Sequence, residues 1–294
     1  MSHPSSAPAP APEATATPLP IRPNQPAGSR EESSHEPVRG ETPPAASSEP
    51  SSDGFKLPKL RLRIDDITHP GASIFLGNYN ASGDFEHCVR SVIRQLYSDT
   101  DKSPSATTAH QLRHHPPPTR SVTLILRDMP GVAYTTGSDL DSDHKEIHFS
   151  LGYIQGINPP ERRHAEIMGV VTHELVHCYQ YNAHGTCPGG LIEGVADWVR
   201  LECQLAPPHW KRGDGTGDGD SNGGRWDAGY QKTAFFLEYL AGRFGADTVR
   251  RLNEKLRTTR RYEDKPFWTE LVGRPVEQLW EEYKKHIKDK ATEA

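Results

Sequence analysis

The sequence predicts an α+β domain: a small mixed sheet, then a helix carrying a histidine pair, then a helical C-terminal half. Three observations carry that reading. Stretches with β pattern are confined to residues 60–150. Beyond residue 163, apolar side chains recur at helical spacing almost to the C-terminus. At the change from one regime to the other stands His173-Glu174-Leu175-Val176-His177.

The chain has 294 residues and a formal net charge of -5, without the basic excess of a nucleic-acid or anionic-membrane partner. No stretch approaches the roughly 18 apolar residues of a membrane span. The N-terminal MSHPSSAPAPAPEATATPLP lacks both a basic start and the apolar core of about 7–15 residues that a signal peptide needs. A cytoplasmic chain is therefore expected. Residues 1–53 hold Pro, Ala, Ser, Glu and Thr with almost no large apolar side chains, so they cannot offset their ordering entropy and are expected to be disordered. One domain is expected over 55–288, with a short tail over 289–294. Of the four cysteines, Cys88, Cys178, Cys187 and Cys203, none forms a Cys-x-x-Cys pair, which argues against a structural zinc finger. They should be free thiols in a reducing compartment, with Cys178 and Cys187 able to bridge under oxidising conditions.

Taken in order, Leu60-Arg61-Leu62-Arg63-Ile64 alternates apolar and basic, a strand pattern. Ile74-Phe75-Leu76 is expected to extend it or pair with it. Residues 80–98 read as a helix, with Phe85, Val89, Val92, Ile93 and Leu96 on one face and Ser82 or Asp84 as cap. Residues 99–120 read as a Pro-rich loop. Its His110, His114 and His115 could bind a metal, but such loops are usually only solvated. Residues 122–126, 131–135 and 146–150 are further strands. Asp139, Asp141 and Asp143 in the last turn lack the glycine and twelfth-position glutamate of an EF-hand.

A helix over 164–181 follows Pro159-Pro160 and presents Ile167, Val170, Val171, Leu175 and Val176 as an apolar surface. A turn over 185–190 leads into a second helix over 191–201. The Gly- and Asp-rich loop over 211–224 fits no calcium repeat. Helices over 228–244, 246–256, 267–272 and 276–287 complete the domain.

Residues four apart on an α-helix differ by about 40° around the axis and about 6 Å along it. His173 and His177 can thus reach one metal ion from one helix face. Glu174, about a quarter-turn round, can address a water on that ion without ligating it. A catalytic zinc needs three protein ligands and one open position. The pattern that takes a third histidine six residues after the second, with a glycine midway, fails: Ala183 and Gln180 stand there, and His184 is one residue late. The other option is a glutamate on the next helix, Glu193. Asp197, one turn beyond it on the same face, is placed to accept the ring N–H of a ligating histidine. Gly194 and Ala196 keep that face slim. Its apolar neighbours Leu191, Ile192, Val195 and Trp198 would bury both carboxylates, which is costly without a partner.

The run Gly189-Gly190-Leu191-Ile192-Glu193-Gly194-Val195-Ala196-Asp197-Trp198-Val199-Arg200-Leu201, after Val171-Thr172-His173-Glu174-Leu175-Val176-His177, resembles the plant basic secretory protein family of zinc peptidases, found also in fungi and bacteria. The likeness extends to Asp128-Met129-Pro130-Gly131-Val132-Ala133-Tyr134 upstream. Downstream it includes Pro208-His209-Trp210, Trp226-Asp227-Ala228-Gly229-Tyr230 and Val276-Glu277-Gln278-Leu279-Trp280, so it covers most of residues 60–287. It implies a zincin-like metallopeptidase domain with glutamate as third ligand. Plant members are secreted and many are basic. This sequence shows neither feature, so localisation and substrate do not carry over.

The expected reaction is hydrolysis of a peptide or protein by metal-activated water. Zn2+ would be held by His173, His177 and Glu193, with Glu174 as general base and Asp197 orienting a ligand histidine. In zincins the strand before the active-site helix lines the cleft. Here that strand is 146–150, and Ile147, His148 and Phe149 are expected to pair with the substrate backbone. Tyr230 and His209, in the family-like motifs downstream, are candidate oxyanion donors. Two readings of other classes remain: a zinc-stabilised defence or binding protein that hydrolyses nothing, and an interaction protein acting through its N-terminal segment. A closed structural site would not need Glu174.

Overall fold

Four strands form one sheet: β1 (Lys59–Ile64), β2 (Ser121–Arg127), β3 (Ala133–Gly137) and β4 (His144–Ser150), in the order β1-β2-β4-β3. The computed structural model describes residues 55–98, 116–139, 141–212 and 224–293. The N-terminal segment 1–53 therefore lies outside the described residues, as do His110, His114 and His115 and most of the 211–224 loop. β1, β2 and β4 run parallel, and β3 is antiparallel to β4. Leu62, Leu124, Ile147 and Thr135 stand in one line across the sheet. A parallel neighbour demands a crossover. Between β1 and β2 the chain forms α1 (Pro70–Asn78) and α2 (Gly83–Tyr97).

The segment containing Ile74-Phe75-Leu76 is thus helix α1, not a strand. Pro70 sits in its first turn, and the His69 ring accepts from Gly71 N–H at 3.0 Å. Proline is pre-organised for that position and its missing N–H would be unbonded anyway. Phe75 packs inward at helical spacing from Ala72, while Leu76 stays half exposed.

One face of the sheet, with Val122, Leu124, Leu126, Ile147 and Phe149, is fully buried. β4 runs straight into a short helix that the periodicity did not reveal, α3 (Leu151–Gly156), whose Ser150 cap accepts from Tyr153 N–H. A 3-10 turn over Pro160–Arg162 leads into α4 (Arg163–Tyr179), which packs on α2 and on β3 and β4. α5 (Gly189–Glu202) lies against α4. Gly189 and Gly190, expected in the preceding turn, are its first residues.

The helical half continues with α6 (Tyr230–Phe244), α7 (Thr248–Thr258), α8 (Asp264–Val272) and α9 (Val276–Glu293). Its core is aromatic: Trp226, Phe236, Trp268, Trp280 and Tyr283 meet edge-to-face or tilted. α9 runs past residue 287, so 289–293 is helix and not a tail. The described residues all fall within one compact unit. Among them no helix is long and apolar enough to cross a membrane. All four cysteines are free. The Cys178 thiol points inward onto Glu174 O, whereas that of Cys187 turns to Pro188 O.

Candidate metal centre

α4 supplies two histidines because its register puts positions 173 and 177 on the face turned toward α5. Their Nε2 atoms are 3.2 Å apart. From α5, Glu193 Oε2 comes to 3.1 Å from His173 Nε2 and 3.6 Å from His177 Nε2. Ligands about 2.0–2.1 Å from a tetrahedral zinc are separated from each other by about 3.3 Å. The three donor atoms therefore match the face of such a tetrahedron. Among the described residues these three form the group whose donors all lie within 4.8 Å of one another. His184, on a left-handed backbone in the 3-10 turn Ala183–Gly185, is exposed and not part of it.

Tautomers are set from behind. His173 Nδ1–H donates to Asp197 Oδ1 at 2.6 Å, and Asp197 is 3 % exposed. That bond directs the Nε2 lone pair of a neutral His173 into the cluster. Gln180, a residue that sequence reasoning did not single out, plays the same part for His177: its amide lies 2.7 Å from Nδ1. Gln180 Oε1 is buried with no other partner. A half-turn of the amide lets that oxygen accept from Nδ1–H, which frees Nε2.

Without a metal the cluster holds a proton. Burial opposes charging of His173, but the hydrogen bonds its ring donates to Asp197 and Glu193 outweigh it and lift its pKa to about 9. Burial likewise opposes ionisation of Glu193. The two histidines overcome that and bring its carboxyl down to about 2. Anionic oxygens facing imidazole nitrogens across about 3 Å are what a bound dication would replace with direct coordination.

Glu174 is 5 % exposed and lies beside the cluster. Thr135 Oγ1 is 2.7 Å from its Oε2 and 2.9 Å from its backbone oxygen. Tyr230 stacks over His173, with ring centroids 6.3 Å apart and 14° between the planes. Burial first, then the charges of Glu193, Asp197 and Glu174, push the Tyr230 phenol up. Its backbone is left-handed (φ 46°), directly after Gly229 (φ 89°). Such a turn lets the chain cross α5 closely. A Cβ on Gly190 would lie 1.8 Å from Asp227 O, and one on Gly194 would lie 2.2 Å from Thr233 Cγ2. The two glycines of α5 therefore bring Tyr230 to the site. His209 is exposed and lines the same cleft.

The cleft measures about 790 Å³ and is lined by Val132–Thr135, the two histidines, Pro207 and Trp210. Its strand is β3, not the one expected. Ile147, His148 and Phe149 of β4 are bonded on both sides, to β2 and to β3. Phe149 and Ile147 are core, and His148 lies beneath Tyr134, stacked at 4.6 Å. A strand paired on both edges has no N–H or C=O left for a substrate, whereas an edge strand has a full row. The sequence order β3–β4 hid this, because the later strand inserts between β2 and β3.

The family described as a peptidase of plants and bacteria matches residues 57–283, close to the 60–287 of the sequence resemblance. No curated protein and no solved structure matches the chain.

Proposed function

This chain belongs to the BSP family, peptidases of plants and bacteria, and on that premise we propose that it is a zinc-dependent metallopeptidase with Glu174 as general base. The observation that carries the proposal is the convergence of His173, His177 and Glu193 at 3.1–3.6 Å, with Asp197 behind His173 and a further carboxylate outside that trio, Glu174, alongside. Bound there, zinc supplies Lewis acidity, polarising a carbonyl and bringing the pKa of water toward 7.

The protein's own residues do the rest. Glu174 takes the proton of the attacking water and passes it to the leaving amine. Thr135 holds its carboxylate in place through the 2.7 Å contact. The open edge of β3 takes the substrate as an added strand, which aligns the scissile bond with Glu174, since Thr135 sits on that same strand. Tyr230 is the nearer of the two oxyanion donors to the histidines, and its phenol stays protonated at neutral pH. His209 lines the cleft without a ring contact to the histidines and is the weaker candidate.

The alternative, a zinc-stabilised protein without catalysis, leaves unexplained why a buried carboxylate is held by Thr135 next to the cluster. One comparison separates the two. Metal content and general peptide-library hydrolysis are measured on wild type and Glu174→Gln. The variant should keep zinc and lose activity, and an active Glu174→Gln protein would rule out this mechanism.

A further inference from the structure

Beyond the metal centre the cleft opens into a second hollow of about 480 Å³, which shares Tyr153, Glu166, Pro207 and His209 with the first. At this junction two guanidinium groups face one carboxylate. Arg200 of α5 is 7 % exposed. Its Nε donates to Leu205 O and its Nη2 to Glu166 Oε1, each at 3.0 Å. Tyr153 O–H donates to the same Glu166 oxygen at 2.8 Å. Arg162 brings the second cation. Its Nη2 is 3.8 Å from Glu166 Oε2, beyond hydrogen-bond reach. That nitrogen is buried and has no hydrogen-bond acceptor among the described residues.

Two cations against one anion leave this wall of the cleft net positive, with a desolvated donor unmet. An orphaned buried donor is costly, and a carboxylate is the group a guanidinium fork pairs with best. α4 is thinned to seat the arrangement: a Cβ on Gly169 would come within 2.5 Å of Arg200 Nε and 2.7 Å of its Nη2. A purely structural ion pair would need only Arg200 and Glu166. Antiparallel pairing is the more stable way to extend an edge strand, and it sets a direction. A chain added antiparallel to β3 runs from the Gly137 end toward the Ala133 end. There Ser150 N–H donates to Val132 O, and α3 carries Tyr153 into the junction. The part of a substrate beyond the scissile bond is thus led to the arginines.

We propose that this end of the cleft is a carboxylate-recognising subsite for the leaving-group side of a peptide, with Arg200 and Arg162 as specificity-determining residues. The proposal rests on the peptidase reading above. The carboxylate comes either from an acidic side chain one or two residues after the cut or from the C-terminus of a short leaving fragment.

The test uses the full chain loaded with zinc and fluorogenic peptides that differ only in Glu against Gln at those two positions, each made as free acid and as amide. A preference of about tenfold in kcat/KM is expected for the carboxylate form. Glu over Gln in the amides assigns the side chain, and acid over amide assigns the terminus. Arg200→Gln should erase the ratio. Arg162→Gln, at a half-buried position, and Gly169→Ala, which shifts the Arg200 guanidinium without altering charge, should each cut it to about twofold, so a misfolded Arg200 variant does not decide the matter. Wild type that cleaves all four forms within about twofold overturns the subsite while leaving the peptidase reading intact. If no peptide is cleaved, or Glu174→Gln stays active, the peptidase reading fails instead. If Glu174→Gln stays active, the kcat/KM ratios above still read the subsite; if no peptide is cleaved, it is read by calorimetric binding of the same peptides to the wild-type chain, where a carboxylate preference that Arg162→Gln lowers supports it and equal binding overturns it.

Discussion

At one end of the cleft three carboxylates, Glu174, Glu193 and Asp197, surround two histidines. At the other, where the second hollow joins it, two arginines meet the carboxylate of Glu166. Both ends bury ionisable groups, and both lie against the same two helices, α4 and α5. They differ in what is left over. The metal end has an excess of negative oxygen, offset only in part in the metal-free protein by a proton on His173. The arginine end has an excess of positive charge with one nitrogen unbonded. The sign of the remainder points to the sign of the ligand: a dication at one end, a carboxylate at the other.

The sharpest separation of the two ends is kinetic. Glu174→Gln should lower kcat by about 10²–10⁴-fold with zinc retained, whereas no arginine variant should approach that loss. Glu166→Gln tests the other end. It removes the one carboxylate that pairs with these two guanidiniums among the described residues and should lower stability by about 3–5 kcal/mol, read as a fall in denaturation midpoint. An unchanged midpoint would mean that Arg200 is not held by this pair. Next in size, Asp197→Asn should weaken zinc binding by about 10–100-fold, since the replacement amide no longer fixes the His173 tautomer.

A pH experiment follows from the proton on His173. With its pKa raised to about 9, the metal-free protein is protonated there at neutral pH, so zinc must displace that proton. Apparent affinity should rise about tenfold per pH unit up to that value, with proton release measurable in buffers of different ionisation enthalpy. In the metal-free fold the same raised pKa adds stability that is complete below the ordinary histidine value and is lost as pH climbs through about 9. The smallest effect is expected at Thr135→Ala. Loss of its hydroxyl from Glu174 costs about 1 kcal/mol, or about fivefold in kcat, with zinc content unchanged.

How far each end could be read from sequence follows the same division. Residues 173, 174 and 177 lie within two helical turns, and helix geometry alone converts that spacing into convergence. Glu193 and Asp197 were legible because a glycine-rich turn and helix follow directly. Gln180 and Thr135 were not. A glutamine after a helix and a threonine in a strand carry no distinguishing pattern, and their roles exist only through contacts made on folding. The arginine end was silent for the same reason. Arg162 looks like an ordinary charge before a helix, and Glu166 and Arg200 like ordinary charges on amphipathic helices; only the packing of α5 on α4 at Gly169 buries Glu166 and Arg200 as a pair beside Arg162.

By itself the sequence determined the α+β division, most of the elements, the family and the histidine–glutamate motif. Those depend on periodicity and short-range spacing, which a linear pattern records. Tertiary structure decided which strand borders the cleft, because β4 inserts between β2 and β3 and leaves β3 at the edge. It decided that residues 74–76 are helix, because Pro70 and the His69 cap start a turn before the apolar run. It also decided that Tyr230 reaches His173, because Gly190 and Gly194 let α6 and the chain before it lie directly on α5. Each of these turns on a pairing or close approach between residues distant in sequence. No local propensity encodes it, and burying the shared core selects it.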